Sequence, residues 1–280
     1  MRLLLLVTTI FCLSPAPRQA FQGNDVAARF SRAVELQRQG ALEEAATEYR
    51  ALLAVAPNYA EAHANLGAVL GRLGKYDEAI AAYEAALRLN PRLTPIWLNL
   101  GILHYQAAQF ARAVDALNRF LGAAPDHAQA RQLMGVSLAE LGRDAEALPY
   151  LEPLLNAPQA EATALYSLGL AYLRLRRAEV AAVAQRLAAR DDGKALSHLL
   201  RGQALLEELS LDKALAEFRA ASGRSADLPR LQFLLGLAEF KLGRPQEAKG
   251  HFESELKRAP DDFLTLYYLA SLLEKQNDLE

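Results

Sequence analysis

The chain has 280 residues, of which 52% are hydrophobic and 23% charged, a balance that excludes a disordered polar chain. A formal net charge of −2 excludes a strong field toward nucleic acid or anionic lipid, so no nucleic-acid partner is expected. The single cysteine excludes a disulfide framework and a cysteine-built zinc site.

The amino terminus reads MRLLLLVTTIFCLSPAPRQA. Arg2 is a short basic start, Leu3 to Leu13 is apolar, and Ser14 to Ala20 is small and polar with proline. This is the layout of a secretory signal peptide over 1–20, which implies export to the periplasm or beyond. The run is shorter than the roughly 20 apolar residues that span a bilayer, so no stable membrane span is expected once the signal is removed. Cleavage after Ala20 places Arg18 at an unfavourable upstream position, and cleavage after Ala16 is followed by Pro17; the point of cleavage stays open. Bulky Ile10 and Phe11 before Cys12 argue against lipoprotein processing.

From residue 21 onward the chain repeats. Glycines stand at Gly67, Gly101, Gly135, Gly169, Gly202 and Gly236, in steps of 34, 34, 34, 33 and 34. A second small-residue series runs Ala45, Ala79, Ala113, Ala147, Ala181, Ala214 and Ala248, with its one short step in the same part of the chain. Pro57, Pro91, Pro125 and Pro260 share one phase. Each unit reads as two amphipathic helices. Small residues at the glycine and alanine places allow close helix approach, and proline at the unit's end stops the second helix. Gly74 suits a left-handed helix end, and Asp77 sits near the next helix start. A unit of this size cannot bury its apolar faces alone, so neighbours must cover one another.

Over 60–91 the residues Leu66, Gly67, Tyr76, Ala79, Tyr83, Ala86 and Pro91 resemble the tetratricopeptide repeat family. Trp97, Leu100, Gly101, Phe110, Ala113 and Pro125 repeat the pattern, with His104 where an aromatic is usual. The resemblance implies an all-α fold, a right-handed α-solenoid superhelix of stacked antiparallel helix pairs. Seven units are expected over 21–262, starting near Val26, Ala60, Thr94, Ala128, Ala162, Ala195 and Pro229. The units are unequal. Pro153 should kink the fourth unit's second helix or end it early. The fifth and sixth units carry Gly193 and Ala226 where the terminal proline would fall, and 219–228 reads as a longer turn. A flexible joint is therefore expected between 187 and 228. The segment 263–280 is either a capping helix that solvates the array or the start of a partial eighth unit, with Asn277 to Glu280 opening a second helix; the capping reading is preferred.

Nothing in the sequence asks for catalysis, and neither a cofactor nor a metal is expected. The five histidines, His63, His104, His127, His198 and His251, lack metal-ligand spacing and read as packing or rim residues. No zinc-protease, nucleophile-elbow or phosphate-loop motif occurs. The adjacent pairs Glu43-Glu44 and Asp191-Asp192 do not face one another on a helix, and Asp261-Asp262 favours a helix start.

The resemblance places partner binding on the first helices, which line the concave face. Basic residues of the kind that clamp acidic tails are missing from those places. Asn65 and Asn99 hold equivalent positions, where asparagines grip a peptide backbone or merely precede the Leu-Gly pair. Ile102, Tyr105, Val136, Tyr166, Leu170, Leu173, Phe233, Leu237, Phe240 and Tyr267 give the same face an apolar character, joined by Leu206 and Tyr268. They either form a groove for a peptide or helix or pack between repeats. The function expected is a non-enzymatic, exported protein-interaction scaffold. The alternative is a regulatory or recruiting module of a larger enzyme or secretion complex, and self-association through the end units is a third possibility.

Overall fold

The computed structural model describes residues 23–225 and 227–277. The expected signal segment 1–20 with Cys12, Ala226, and the last residues 278–280 lie outside the described residues. Among the described residues all regular secondary structure is helical, with no strand. The helices are α1 (Gly23–Gln39), α2 (Leu42–Val55), α3 (Ala60–Arg72), α4 (Tyr76–Leu89), α5 (Thr94–Gln106), α6 (Phe110–Leu121), α7 (Ala128–Glu140), α8 (Asp144–Leu151), α9 (Ala162–Arg174), α10 (Val180–Ala188), α11 (Lys194–Glu207), α12 (Leu211–Ser222), α13 (Leu231–Lys241), α14 (Pro245–Leu256) and α15 (Phe263–Asn277).

The chain divides into two compact units, Met1–Leu93 and Thr94–Glu280. In the first, α1 pairs with α2 and α3 with α4, and α3 rests on α2 and α1. In the second, the pairs α5/α6, α7/α8, α9/α10, α11/α12 and α13/α14 each rest on the next pair, and α15 closes the row against α13 and α14. Among the described residues the main helix contacts lie within a pair or between one pair and the next, as expected of an α-solenoid of stacked helix pairs. The division falls at the start of the third pair, at Thr94.

Each pair turns on one residue in the left-handed region. Gly40, Gly74, Gly142 and Gly243 hold φ between 70° and 83°, and Ala108, Arg176 and Leu209 hold 53°, 55° and 58°. The residue after each reaches back five places: Ala41 N–H to Leu36 C=O at 2.9 Å, Lys75 N–H to Leu70 C=O at 3.0 Å, and Arg177 N–H to Tyr172 C=O at 2.8 Å. This is the Schellman closure, which satisfies carbonyls the helix end would leave orphaned.

The glycine series marks where the two helices of a pair meet. A Cβ on Gly67 would lie 2.7 Å from the Tyr83 ring, one on Gly101 2.7 Å from Leu117, one on Gly202 2.4 Å from Phe218, and one on Gly236 2.7 Å from Phe252. Each glycine therefore receives a large side chain from the second helix. Ala33 takes the glycine's place in the first pair, and both it and Tyr49 of the second helix are fully buried. The alanine series lies one turn before these large residues, and Ala45, Ala79, Ala113, Ala147, Ala214 and Ala248 are all buried.

Two units depart from the pattern. In the fourth, α8 stops at Leu151 and continues as a short 3₁₀ turn, Glu152–Asn156, with Pro153 in its first positions. The early end follows from proline's missing N–H, which cannot extend the α-helical ladder. In the fifth, Ala181 is exposed, a correction to its place in the small-residue series. Here α10 begins only at Val180, and Val183 and Ala184 take the buried places instead. Gly169 consequently meets Leu200 of the next pair, at 2.3 Å from its would-be Cβ, as well as Val183 at 3.2 Å. The stretch expected as a turn over 219–228 is helical as far as Ser222.

Candidate partner-binding face

Every residue expected to meet a partner lies on the first helix of a pair or on α15. Asn65 belongs to the first compact unit, on α3, where it is half-buried. The remaining residues belong to the second unit.

Within that unit two rows emerge. One residue after each glycine come Ile102, Val136, Leu170, Gln203 and Leu237. Four residues after each glycine come Tyr105, Ala139, Leu173, Leu206 and Phe240. One helical turn separates the two places, so each first helix presents the pair on one face. Ile102, Leu170, Leu237, Tyr105, Leu173, Leu206 and Phe240 are half-buried, with part of each side chain open to solvent. Val136 and Ala139 on α7 are buried, so the open rows are interrupted at that helix. Asn99 is half-buried one turn before Ile102.

Three expected residues do not belong to an open face. Val136, Tyr166 and Phe233 are only 7%, 7% and 6% exposed, because they sit between neighbouring helices. The Tyr166 hydroxyl donates to Gln203 Oε1 at 2.8 Å, joining α9 to α11. Burial pushes its phenol far above the usual range. Phe233 packs at a tilt against Phe252 and Tyr268, at centroid distances of 6.1 and 5.9 Å. Tyr105 keeps a raised phenol pKa, first through burial and then through the Glu140 and Glu161 carboxylates. Tyr267 on α15 is 56% exposed.

Charged side chains serve the stack. Asp144, buried at the start of α8, accepts two hydrogen bonds from Arg174 on α9, at 2.6 and 2.8 Å. Glu239, buried on α13, accepts from Arg219 at 2.9 Å and Arg244 at 3.1 Å. Leaving either carboxylate unpaired would be costly, so these contacts fix the register between helices. The histidines are likewise held: His63 by the Pro57 carbonyl at 2.8 Å, His104 by Gln109 at 2.9 Å, His198 by Glu217 at 2.6 Å and His251 by Gln232 at 2.8 Å. His127 Nδ1 accepts from Ala130 N–H at 3.2 Å and caps α7. Among the described residues no three His, Cys, Asp or Glu side chains gather to hold a metal ion. No described helix is long and apolar enough to cross a membrane.

Sequence reasoning missed one feature. The late start of α10 opens a cleft of about 1390 Å³ lined by Leu173, Arg174, Arg177, Ala181, Arg201 and Glu217.

Family models described as tetratricopeptide repeat match residues 60–93, 98–161 and 233–280, and one described as TPR repeat matches 35–74. The fold is similar to a tetratricopeptide repeat protein from Parabacteroides merdae ATCC 43184, at 17% identity, with 90% of this chain and 100% of that chain covered and a TM-score of 0.71. It is similar to PilW, described as a widely conserved type IV pilus biogenesis factor, at 19% identity, 76% and 98% coverage and a TM-score of 0.56. It is also similar to MamA, at 21% identity, 62% and 96% coverage and a TM-score of 0.54. No curated protein matches the sequence.

Proposed function

Because the chain belongs to the tetratricopeptide repeat family, we propose that it is a non-enzymatic scaffold, exported through its amino-terminal segment, that holds a peptide or amphipathic helix along its first helices. The observation that carries the reading is the pair of half-open rows over α5, α9, α11 and α13. Leu170, Leu237, Tyr105, Leu173 and Phe240 each keep part of an apolar surface in water at repeat spacing. A regularly spaced apolar strip suits the i, i+3, i+4, i+7 anchors of a helix, or alternate side chains of an extended peptide. Repeat families of this kind recognise proteins through such surfaces rather than through catalytic groups.

Photocrosslinking tests it without disturbing the fold. A photoreactive phenylalanine analogue placed at Leu170 or Leu237 should capture a partner from the native envelope fraction, whereas the same group at exposed Glu146 should not. A Leu170→Glu and Leu237→Glu double variant that keeps its helical circular dichroism should lose the partner. Added salt should leave capture unchanged, since apolar contact is not screened. Equal capture from Glu146, or capture undiminished in the double variant, overturns the reading.

A further inference from the structure

The repeat is broken at three places that meet in one cleft. Sixteen residues after the small residue of each first helix, the second helix of six pairs sends in Tyr49, Tyr83, Leu117, Leu151, Phe218 or Phe252, all buried. The fifth pair has Gln185 there, and it is exposed. Ala181, one turn before it, is exposed as well. Immediately before the glycine stand Leu66, Leu100, Met134, Leu168 and Leu235, each buried, but the sixth pair has Arg201, which is exposed. Ala181, Gln185 and Arg201 all line the cleft of about 1390 Å³ beside α10. The other second helices of this unit begin nine residues after the glycine, at Phe110, Asp144, Leu211 and Pro245, whereas Val180 is eleven after Gly169. Hydrogen-bonding side chains thus stand where close packing of the pair would require large apolar ones.

The charges of the cleft fall into two kinds. Arg174 is held by Asp144 at 2.6 Å, Arg177 by Glu179 at 3.1 Å and Glu217 by His198 at 2.6 Å. Arg176, Arg201, Glu207 and Glu208 make no side-chain ion pair or hydrogen bond among the described residues. An arginine at the place of Arg201 can be neutralised from within its own pair, since Arg32 of the first pair lies 3.4 Å from Glu48. Glu217 holds the place of Glu48, yet it goes to His198 and leaves Arg201 without a partner. On α11 the residues Arg201, Ala204, Leu205 and the C-cap Glu208 fall at i, i+3, i+4 and i+7, one stripe along the cleft wall. The stripe runs from cation through apolar surface to anion over about 10 Å.

We propose that this cleft is a second binding site, whose occupant is an extended segment of a partner protein bearing an acidic residue, an apolar residue two places on and a basic residue two further. Alternate side chains of an extended chain share one face, and four residues cover about 13 Å. The acidic side chain meets the Arg201 guanidinium, whose planar fork holds a carboxylate bidentately. The apolar residue lies over Ala204 and Leu205, and the long basic side chain reaches Glu208. The Gln185 amide both donates to and accepts from the segment's main chain. With two unpaired charges of each sign, the cleft favours a mixed segment over a purely acidic one. Its volume exceeds the roughly 300–1,000 Å³ of a small-molecule pocket, and its walls are exposed at Ala181, Gln185 and Arg201, so a chain can enter and leave. The cleft shares only Leu173 with the open rows, so it stands whether or not those rows bind a partner.

The test selects random displayed nonapeptides against the full chain at low ionic strength. Recovered peptides should carry the acidic, apolar, basic order. Anisotropy of a fluorescent synthetic copy should show saturable binding that weakens at least about tenfold for Arg201→Glu, less for Arg201→Gln, and with added salt. Exchanging the peptide's acidic residue for lysine should restore binding to the Arg201→Glu variant. The Leu170→Glu and Leu237→Glu variant should bind the peptide as the parent does, which separates this site from the open rows. Peptides without that order, binding indifferent to Arg201, or binding lost with the Leu170 and Leu237 substitutions overturn the proposal. So does competition by glutarate as strong as that of unlabelled peptide, which would mark a site for a free carboxylate.

Discussion

Gly101 on α5 lies so close to Leu117 on α6 that a Cβ at Gly101 would stand 2.7 Å from both Leu117 Cγ and Cδ2. Leu117 is fully buried and cannot swing into solvent. Gly101→Leu should therefore destabilise by about 1–3 kcal/mol through overpacking. Gly101→Ala should act in the same direction and less, because the helix-propensity gain of alanine offsets part of the clash. Urea melts of the two variants check the order. Stability equal to the parent in both would contradict the close approach.

Leu209 turns the sixth pair at φ 58° and is 69% exposed. A left-handed conformation costs a side-chain-bearing residue about 1–2 kcal/mol, and little packing is lost when Leu209 is removed. Glycine also loses more freedom on folding, which returns roughly 0.4–1 kcal/mol of that gain. Leu209→Gly should thus raise stability modestly, and Gly243→Ala, at φ 72° in the next pair, should lower it. Thermal denaturation distinguishes the two signs.

His251 is half-buried on α14, and its pKa is lowered from 6.5 mainly by burial and also by Arg219, against the pull of Glu239. The folded state therefore binds this proton less readily than the unfolded chain. Its contribution to stability is present above pH 6.5 and is lost as pH falls through the folded pKa. His251→Gln should flatten the decline in melting temperature on acidification below that pH, while Gln232 can still bond the new amide. An unchanged pH profile in the variant would show that other groups set the acid limit.

Much of the architecture was written in the period. The glycine and alanine series locate both helices of most pairs, since a small residue every 34 places is what repeated close approach demands. The site was less legible. Phe233 and Leu237 share helix α13 and an apolar character, yet Phe233 is buried against α14 and α15 while Leu237 is partly open. Local pattern places both on the repeat's interior side; only the neighbouring pair's position separates packing from presentation.

The fifth unit shows where periodicity itself misleads. Ala181 keeps the phase of Ala147 and is exposed, because α10 starts late and turns Val183 and Ala184 inward. What the sequence alone determined is the helix pair, its turns and its stacking, all of which depend on contacts within one repeat or with the next. The tertiary structure decided which apolar side chains remain in water: the half-open rows on α5 to α13 and those around the cleft beside α10. Burial of a given side chain depends on whether the neighbouring helix arrives over it, a property of three-dimensional packing that no single repeat encodes.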